Sequence, residues 1–401
     1  MDAATDKRRW GILALLFFSI AINLLDRQVL AILAPTIRDE LGLSNTQYSY
    51  IVTSFLLGLT LAQVPSGMLI DRIGPRSALP VLMVIWSIAN GLHALARSAA
   101  HLALFRFLLG TGECGNYSAG VKVISQWFPA QERALAGGIF NSGTVIGAFF
   151  APFLIVKLSS AFGWRMAFLV PSVLGLLWIV PWLVWYRDRQ TAGASRTDAP
   201  VSIRPLLAMR QVWGAVMIRA LAGPVMHFYW YWLPEYLKRE RNFSMEMIGL
   251  YAGIPFLFAG LGNLAGGWFS GALMRRGVSV DRSRKTAFGI CGALCLISSA
   301  VPLAPGELSA MALICLATFA LGAIAAIHIG LLTDLFSPQV LARLTGLSGM
   351  CEGVVNMTVT LATGIVVDRF GYYPVFLAAG LMPAIAISGL FLLVRRVERI
   401  G

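Results

Sequence analysis

The chain has 401 residues, 57% of them hydrophobic and only 13% charged, about half the charged share of a soluble domain. This composition excludes an ordinary soluble enzyme, and the apolar runs are too many for a protein held by one anchor. The net charge of +13 does not indicate a nucleic-acid partner, because the basic residues sit in short loops between apolar runs rather than on one face.

Lys7, Arg8 and Arg9 precede the first apolar run, as in a signal sequence. No small-residue cleavage site precedes the polar Asp26, so the run reads as a retained first helix. Twelve segments are long and apolar enough to cross a bilayer: 11–34, 48–70, 77–96, 101–128, 135–158, 165–186, 211–238, 247–273, 284–304, 308–335, 341–368 and 373–396. The longest polar gap holds Thr191-Ala-Gly-Ala-Ser-Arg-Thr-Asp-Ala-Pro200, the composition of a linker. The predicted architecture is an all-α membrane protein of twelve helices in two six-helix bundles, 1–186 and 211–401, joined by a linker at 187–210.

Most basic residues fall in alternate inter-helix segments, among them Arg72, Arg76, Arg133, Arg187, Arg189, Arg275, Arg276, Arg395 and Arg396. The positive-inside rule then places both termini and the linker in the cytoplasm. Phe162-Gly-Trp-Arg-Met-Ala-Phe168 after helix five is echoed by Phe370-Gly-Tyr-Tyr-Pro-Val-Phe376 after helix eleven. The two halves therefore read as copies of one unit, a construction transporters use with the site at the repeat interface. The five cysteines lie within apolar spans without metal-site spacing and read as small buried hydrophobes. No metal, no organic cofactor and no catalytic residue is expected.

Charge inside the apolar spans needs an explanation, because it costs several kcal/mol at the bilayer centre even on the mildest scale. Arg106 and Glu113 are seven residues apart on helix four and return to one helical face, with Gly110 and Gly112 between them. Helix one carries Asn23, Asp26 and Arg27. A carboxylate substrate entering a low-dielectric cavity needs a cation, and arginine offers a planar, permanently charged fork. Arg27 and Arg106 are the candidates. Proton coupling needs acids that gain and lose a proton as an arginine partner comes and goes. Asp26 and Glu113 are the candidates.

Gly67-Met-Leu-Ile-Asp71-Arg72-Ile-Gly74-Pro-Arg76 closes helix two. An acid at a helix end and arginines on the loop can hold neighbouring helix termini in one conformation and release them in another, so Gly67, Asp71, Arg72, Gly74 and Arg76 are the candidate gate. In the second half the corresponding loop has Gly271 in place of the acid. The first copy resembles the signature Gly-x-x-x-Asp-Arg-x-Gly-x-Arg of the major facilitator superfamily. Asn23 to Arg27, Gly110 to Tyr117, Gln126-Trp-Phe-Pro129, Glu132 to Ala136 and Phe140-Asn-Ser-Gly143 are similar to the anion:cation symporter family. Gly223 to Leu237 and Gly262 to Trp268 are most similar to its bacterial hexuronate branch.

The resemblance covers nearly the whole chain. It implies the major facilitator fold and proton-coupled uptake of a small organic anion, commonly a sugar acid, in the bacterial inner membrane. It also implies that Asp26 and Glu113 carry protons, that Arg27 contacts substrate and that Arg106 pairs with an acid. The only coupling ion is the proton, the partners are the substrate and the bilayer, and the protein is expected to be a monomer. Further substrate contacts are assigned to Asn23, Tyr117, Thr144, His227, Tyr229 and Asn356. Glu352, Lys122 and His328 read more readily as structural than as functional. The chain departs from the sugar-acid pattern at Leu59, where a tyrosine is usual, at Tyr117-Ser118, where Phe-Pro is usual, and at Ala259-Gly260, which lacks an acid. A spinster-like lipid transporter, which shares the Asp-Arg of helix one and the Arg and Glu of helix four, is the alternative.

Overall fold

The computed structural model describes residues 8–128, 130–188, 207–336 and 338–397. Most of the linker expected at 187–210 lies outside the described residues. The helices are α1 (Arg8–Ile32), α2 (Ala34–Leu41), α3 (Asn45–Leu92), α4 (Ala99–Glu113), α5 (Asn116–Trp127), α6 (Ala130–Phe162), α7 (Trp164–Trp185), α8 (Arg210–Arg239), α9 (Met245–Tyr251), α10 (Ile254–Arg275), α11 (Val280–Cys295), α12 (Glu307–Leu335), α13 (Pro338–Phe370) and α14 (Tyr373–Leu393). A 3₁₀ stretch, Leu296–Leu303, extends α11.

Among the described residues, nine helical stretches are long and apolar enough to cross a membrane. One of them, Asn45–Leu95, holds two expected spans joined through Gly74, whose φ of 75° breaks the helix. The two other expected spans fall short for physical reasons. Span four carries Arg106 and Glu113 and is broken after Glu113, and α8 carries the charged groups Arg219 and Glu235. Twelve crossings result, and the protein is a multi-pass membrane protein. Its surface exposes apolar residues such as Leu61, Val180, Leu264 and Leu392, while Asp26, Asn90, Arg106 and Glu113 are buried. Charge is thus kept from the lipid inside the helix bundle.

The chain forms two compact units. One comprises Met1–Ala194 with Leu233–Gly253, the other Ser195–Trp232 with Ile254–Gly401. Each shows the same devices. Gly163 and Gly371, the glycines of the echoed Phe-Gly motif, both turn the chain with positive φ, a conformation glycine adopts without steric cost. In the first unit Arg76 binds the carbonyls of Leu183 and Tyr186 at the end of α7. In the second, Lys285 binds the carbonyl of Arg395 just beyond α14. In both cases a cation at the start of one helix satisfies the open carbonyls at the end of another.

Glycine crossings set the closest helix contacts. A Cβ at Gly110 of α4 would lie 2.8 Å from Leu59 N and closer still to Phe55 O, and one at Gly58 of α3 would meet the Phe107 backbone. In the second unit Gly262 of α10 faces the Phe319 backbone and Gly322 of α12 faces that of Ala259.

Outside the spans, Glu40 of α2 accepts from Trp164 Nε1 at 2.6 Å and Arg165 Nη1 at 2.8 Å. The indole N–H, then the guanidinium, hold its carboxyl below the usual glutamate value. Its contribution to stability is therefore present above about pH 4.3 and is lost as pH falls through the lowered value. The carboxyl is well exposed, so the effect is small. Glu40→Gln is expected to lower the melting temperature at pH 7 by about 1 °C. In a pH series that difference should close in the acid range.

Candidate functional site

The charged centre lies in the first unit, where α1, α3 and α4 meet. Glu113, the last residue of α4, has a side chain with no solvent exposure, and its Oε2 accepts from Arg27 Nε at 2.5 Å. Arg27 itself is 23% exposed at its side chain. One end of this pair is therefore sealed while the other can be reached. Arg106 Nη2 donates to the Arg27 carbonyl at 3.2 Å, which ties α4 to α1 a second time. The guanidinium carbons of Arg27 and Arg106 lie 5.4 and 5.8 Å from the Phe55 ring centroid, so one aromatic ring of α3 supports both cations.

Asp26 is fully buried beside them. Its Oδ1 accepts from Asn90 Nδ2 at 2.7 Å, and its Oδ2 has no partner. Breaking one side of a buried ion pair costs about 3–5 kcal/mol, so this group is stable only while its charges balance. The arrangement can exchange a carboxylate on Arg27 for the carboxylate of Glu113, provided Glu113 gains a proton.

The structure brings Asp26 and Arg27 of α1 together with Arg106 and Glu113 of α4. It differs from the expectation in the pairing, because Glu113 is held by Arg27, the arginine that the resemblance gives to substrate. Asn23, one turn before Asp26, is buried, with its Nδ2 unpartnered. Tyr117 is half exposed and stacks on Phe140 at 5.8 Å, and Thr144 is partly buried on α6.

Three candidates lie in the second unit, described by itself. Asn356 is buried with an unpartnered Oδ1. The His227 ring hydrogen-bonds the Gly223 carbonyl at 3.0 Å. Tyr229 is fully buried with its hydroxyl 2.9 Å from Ser298 Oγ, an interhelical contact. Glu352 pairs with Arg219 at 2.5 Å, and His328 Nε2 lies 2.9 Å from the Ala215 carbonyl.

The gate motif is wired within the first unit. Asp71 takes Lys122 Nζ at 2.6 Å, so Lys122 has an acid partner. Gly74 leaves space for Asp188, whose Cγ would lie 2.9 Å from a Cβ there, and Asp188 accepts from the Arg76 backbone N–H at 3.2 Å. Arg72 is exposed, and a Cβ at Gly67 would meet nothing within 4 Å. Gly67 is thus free of the steric demand that Gly74 meets.

Sequence reasoning missed Asn90 on α3 and His93 just after its end. Their three-residue spacing inside an apolar span was the available signal. It also missed a charged cluster at the end of α2, buried at Arg38 and Glu235 and open at Asp39 and Arg239. There Arg38 donates to Glu235, to Asn45 Oδ1 at 2.6 Å and to the Leu43 carbonyl at 3.1 Å, and Arg239 donates to Glu235 at 3.1 Å and to Asp39. Arg38 and Glu235 are 197 positions apart, beyond any local pattern.

Residues 16–322 match the family described as Major Facilitator Superfamily. The chain is 31% identical to a hexuronate transporter of Escherichia coli (strain K12), over 92% of this chain and 90% of that protein. It is 32% identical to a probable L-galactonate transporter of the same organism, over 88% and 82% respectively. Among solved structures, a bacterial homolog of the human lysosomal transporter spinster, inward-facing and unoccupied, superposes with a TM-score of 0.83 at 19% identity, covering 98% of each chain. That last likeness concerns the fold alone.

Proposed function

The chain belongs to the Major Facilitator Superfamily, and from that premise we propose that it takes up a sugar acid, a hexuronate or an aldonate, together with protons by alternating access. It is a transporter and not an enzyme. We infer an inner-membrane location, which the bacterial origin of the relatives supports, with both termini in the cytoplasm, the orientation that the loop charges favour.

The observation that supports this reading is the buried Arg27–Glu113 pair beside Asp26. Open outward, Asp26 and Glu113 take protons. A protonated Glu113 no longer holds Arg27, and the freed guanidinium binds the substrate carboxylate. The occupied site is then balanced in charge, which lowers the cost of closing it away from water. On the inner side the loop around Asp71 releases, and substrate and protons leave. Asn23, Tyr117, Thr144, His227 and Asn356 offer polar groups for the sugar hydroxyls, and Arg106 holds the α1 backbone in place.

The test is uptake in proteoliposomes under an inside-alkaline pH gradient, with labelled glucuronate, galactonate and a small monocarboxylate compared. Accumulation of a sugar acid alone supports the proposal. Lysolipid movement without uptake of any soluble anion refutes it in favour of the spinster-like alternative. The gate carries its own expectation. The Asp71 side chain is 79% exposed, and exposed pairs contribute about 1 kcal/mol or less. Asp71→Asn should therefore slow uptake severalfold while shifting the melting temperature by no more than about 2 °C.

A further inference from the structure

We propose that Asn90 is the positioning residue that sets the protonation of Asp26, an inference that rests on reading Asp26 as a proton carrier. Asn90 is fully buried on α3. Its Nδ2 donates to Asp26 Oδ1 at 2.7 Å and to the Phe168 carbonyl of α7 at 3.1 Å. Both neighbours are oxygens, so only one orientation of the amide fits, with nitrogen towards them. The donor aimed at Asp26 is therefore fixed from two sides, by the α3 backbone and by the α7 carbonyl.

A donor on a carboxylate favours its ionised form, and removing it favours the protonated form. Asn90 permits both, because Oδ1 can go on accepting as a carbonyl while the proton sits on Oδ2, which has no protein partner. The other charged groups around Asp26 are Arg106 and Glu113 of α4 and Arg27 next to it, with His93 just beyond α3, three residues after Asn90. The His93 ring bonds the Ala89 carbonyl at 2.8 Å and stacks on Phe168. α6 meets α1 through Gly143 and Gly147 and has no charged residue between 134 and 156. Arg165, at the start of α7, is engaged by Glu40. Among these neighbours only Asn90 is neutral at every pH and bonded directly to Asp26, which makes it the group to vary.

The Phe168 carbonyl also accepts from Ser172 Oγ at 2.7 Å, so Asn90→Ala leaves it satisfied. Asn90→Ser keeps a hydroxyl too short to bridge to Asp26 and serves as the second variant. The experiment is a pH titration of the carboxyl C=O band by infrared difference spectroscopy, on full-length protein in lipid vesicles, with the Asp26 band identified by its loss in Asp26→Asn. The expected result is a titration midpoint raised by about one pH unit in both variants, the tenfold change that one hydrogen bond to a charged group supports. The pH midpoint of sugar-acid uptake should rise with it. A midpoint unchanged in both variants overturns the proposal, as does a band that titrates in neither wild type nor variant. The band is read without transport. A shifted midpoint in a protein that shows no pH-driven uptake supports the role of Asn90 and counts against the transport reading alone.

Discussion

Glu113→Gln is expected to abolish pH-driven accumulation while leaving substrate exchange partly in place. Glutamine keeps the shape of the side chain and an oxygen to accept from Arg27 Nε, now at 2.5 Å from Glu113 Oε2, but it neither carries charge nor gains a proton. The variant mimics the protonated state permanently, so Arg27 is always available to a carboxylate. A pH gradient of one unit drives about a tenfold concentration ratio for each coupled proton. For Glu113→Gln that ratio should fall to about one in proteoliposomes under an inside-alkaline gradient. Counterflow of labelled against unlabelled substrate should persist at a measurable fraction of the wild-type rate. Full concentrative uptake by this variant would remove Glu113 from the mechanism.

Gly110→Ala carries the second large effect. The added methyl meets Phe55 O and Leu59 N of α3, and backbone atoms cannot swing aside as a side-chain tip can. α4 must move away, taking Arg106 and Glu113 from Arg27 and Phe55. Overpacking of this kind costs about 1–3 kcal/mol, a fall in melting temperature of several degrees. A displacement of about 1 Å at a preorganised site can cost on the order of a hundredfold in rate, so transport should fall further than stability. Gly346→Ala is the control. It changes a helical glycine that faces open space, and it should retain both the melting temperature and most of the transport rate. Equal damage from the two variants would mean that the crossing at Gly110 is not what aligns the site.

The site residues were legible in the chain because polar groups inside apolar runs stand out. Arg106 and Glu113 share a face through helical periodicity alone, and Asp26 and Arg27 are adjacent. The partnerships were less legible. The resemblance assigned Arg106 to an acid, but in the folded unit Arg27 reaches Glu113 across 86 positions. Tyr229 was read from an aromatic run, and only the packing shows that its hydroxyl lies beside Ser298. Asn90 attracted no attention, since one amide in an apolar span reads as a packing residue until its neighbour is known to be Asp26, 64 positions away.

By itself the sequence determined the number of crossings, their division into two similar halves and the residue types at the centre. These follow from local physics: about 20 apolar residues span a bilayer, a helix repeats every 3.6 residues, and charge must be kept from lipid. Only the tertiary structure decided which arginine holds Glu113, which amide holds Asp26, and that Arg38, Asp39, Glu235 and Arg239 form a cluster. Those pairings depend on the angle and depth at which helices cross. Crossing depth is set where glycines such as Gly58 and Gly110 let two backbones meet, a property of two helices together that neither one's periodicity contains.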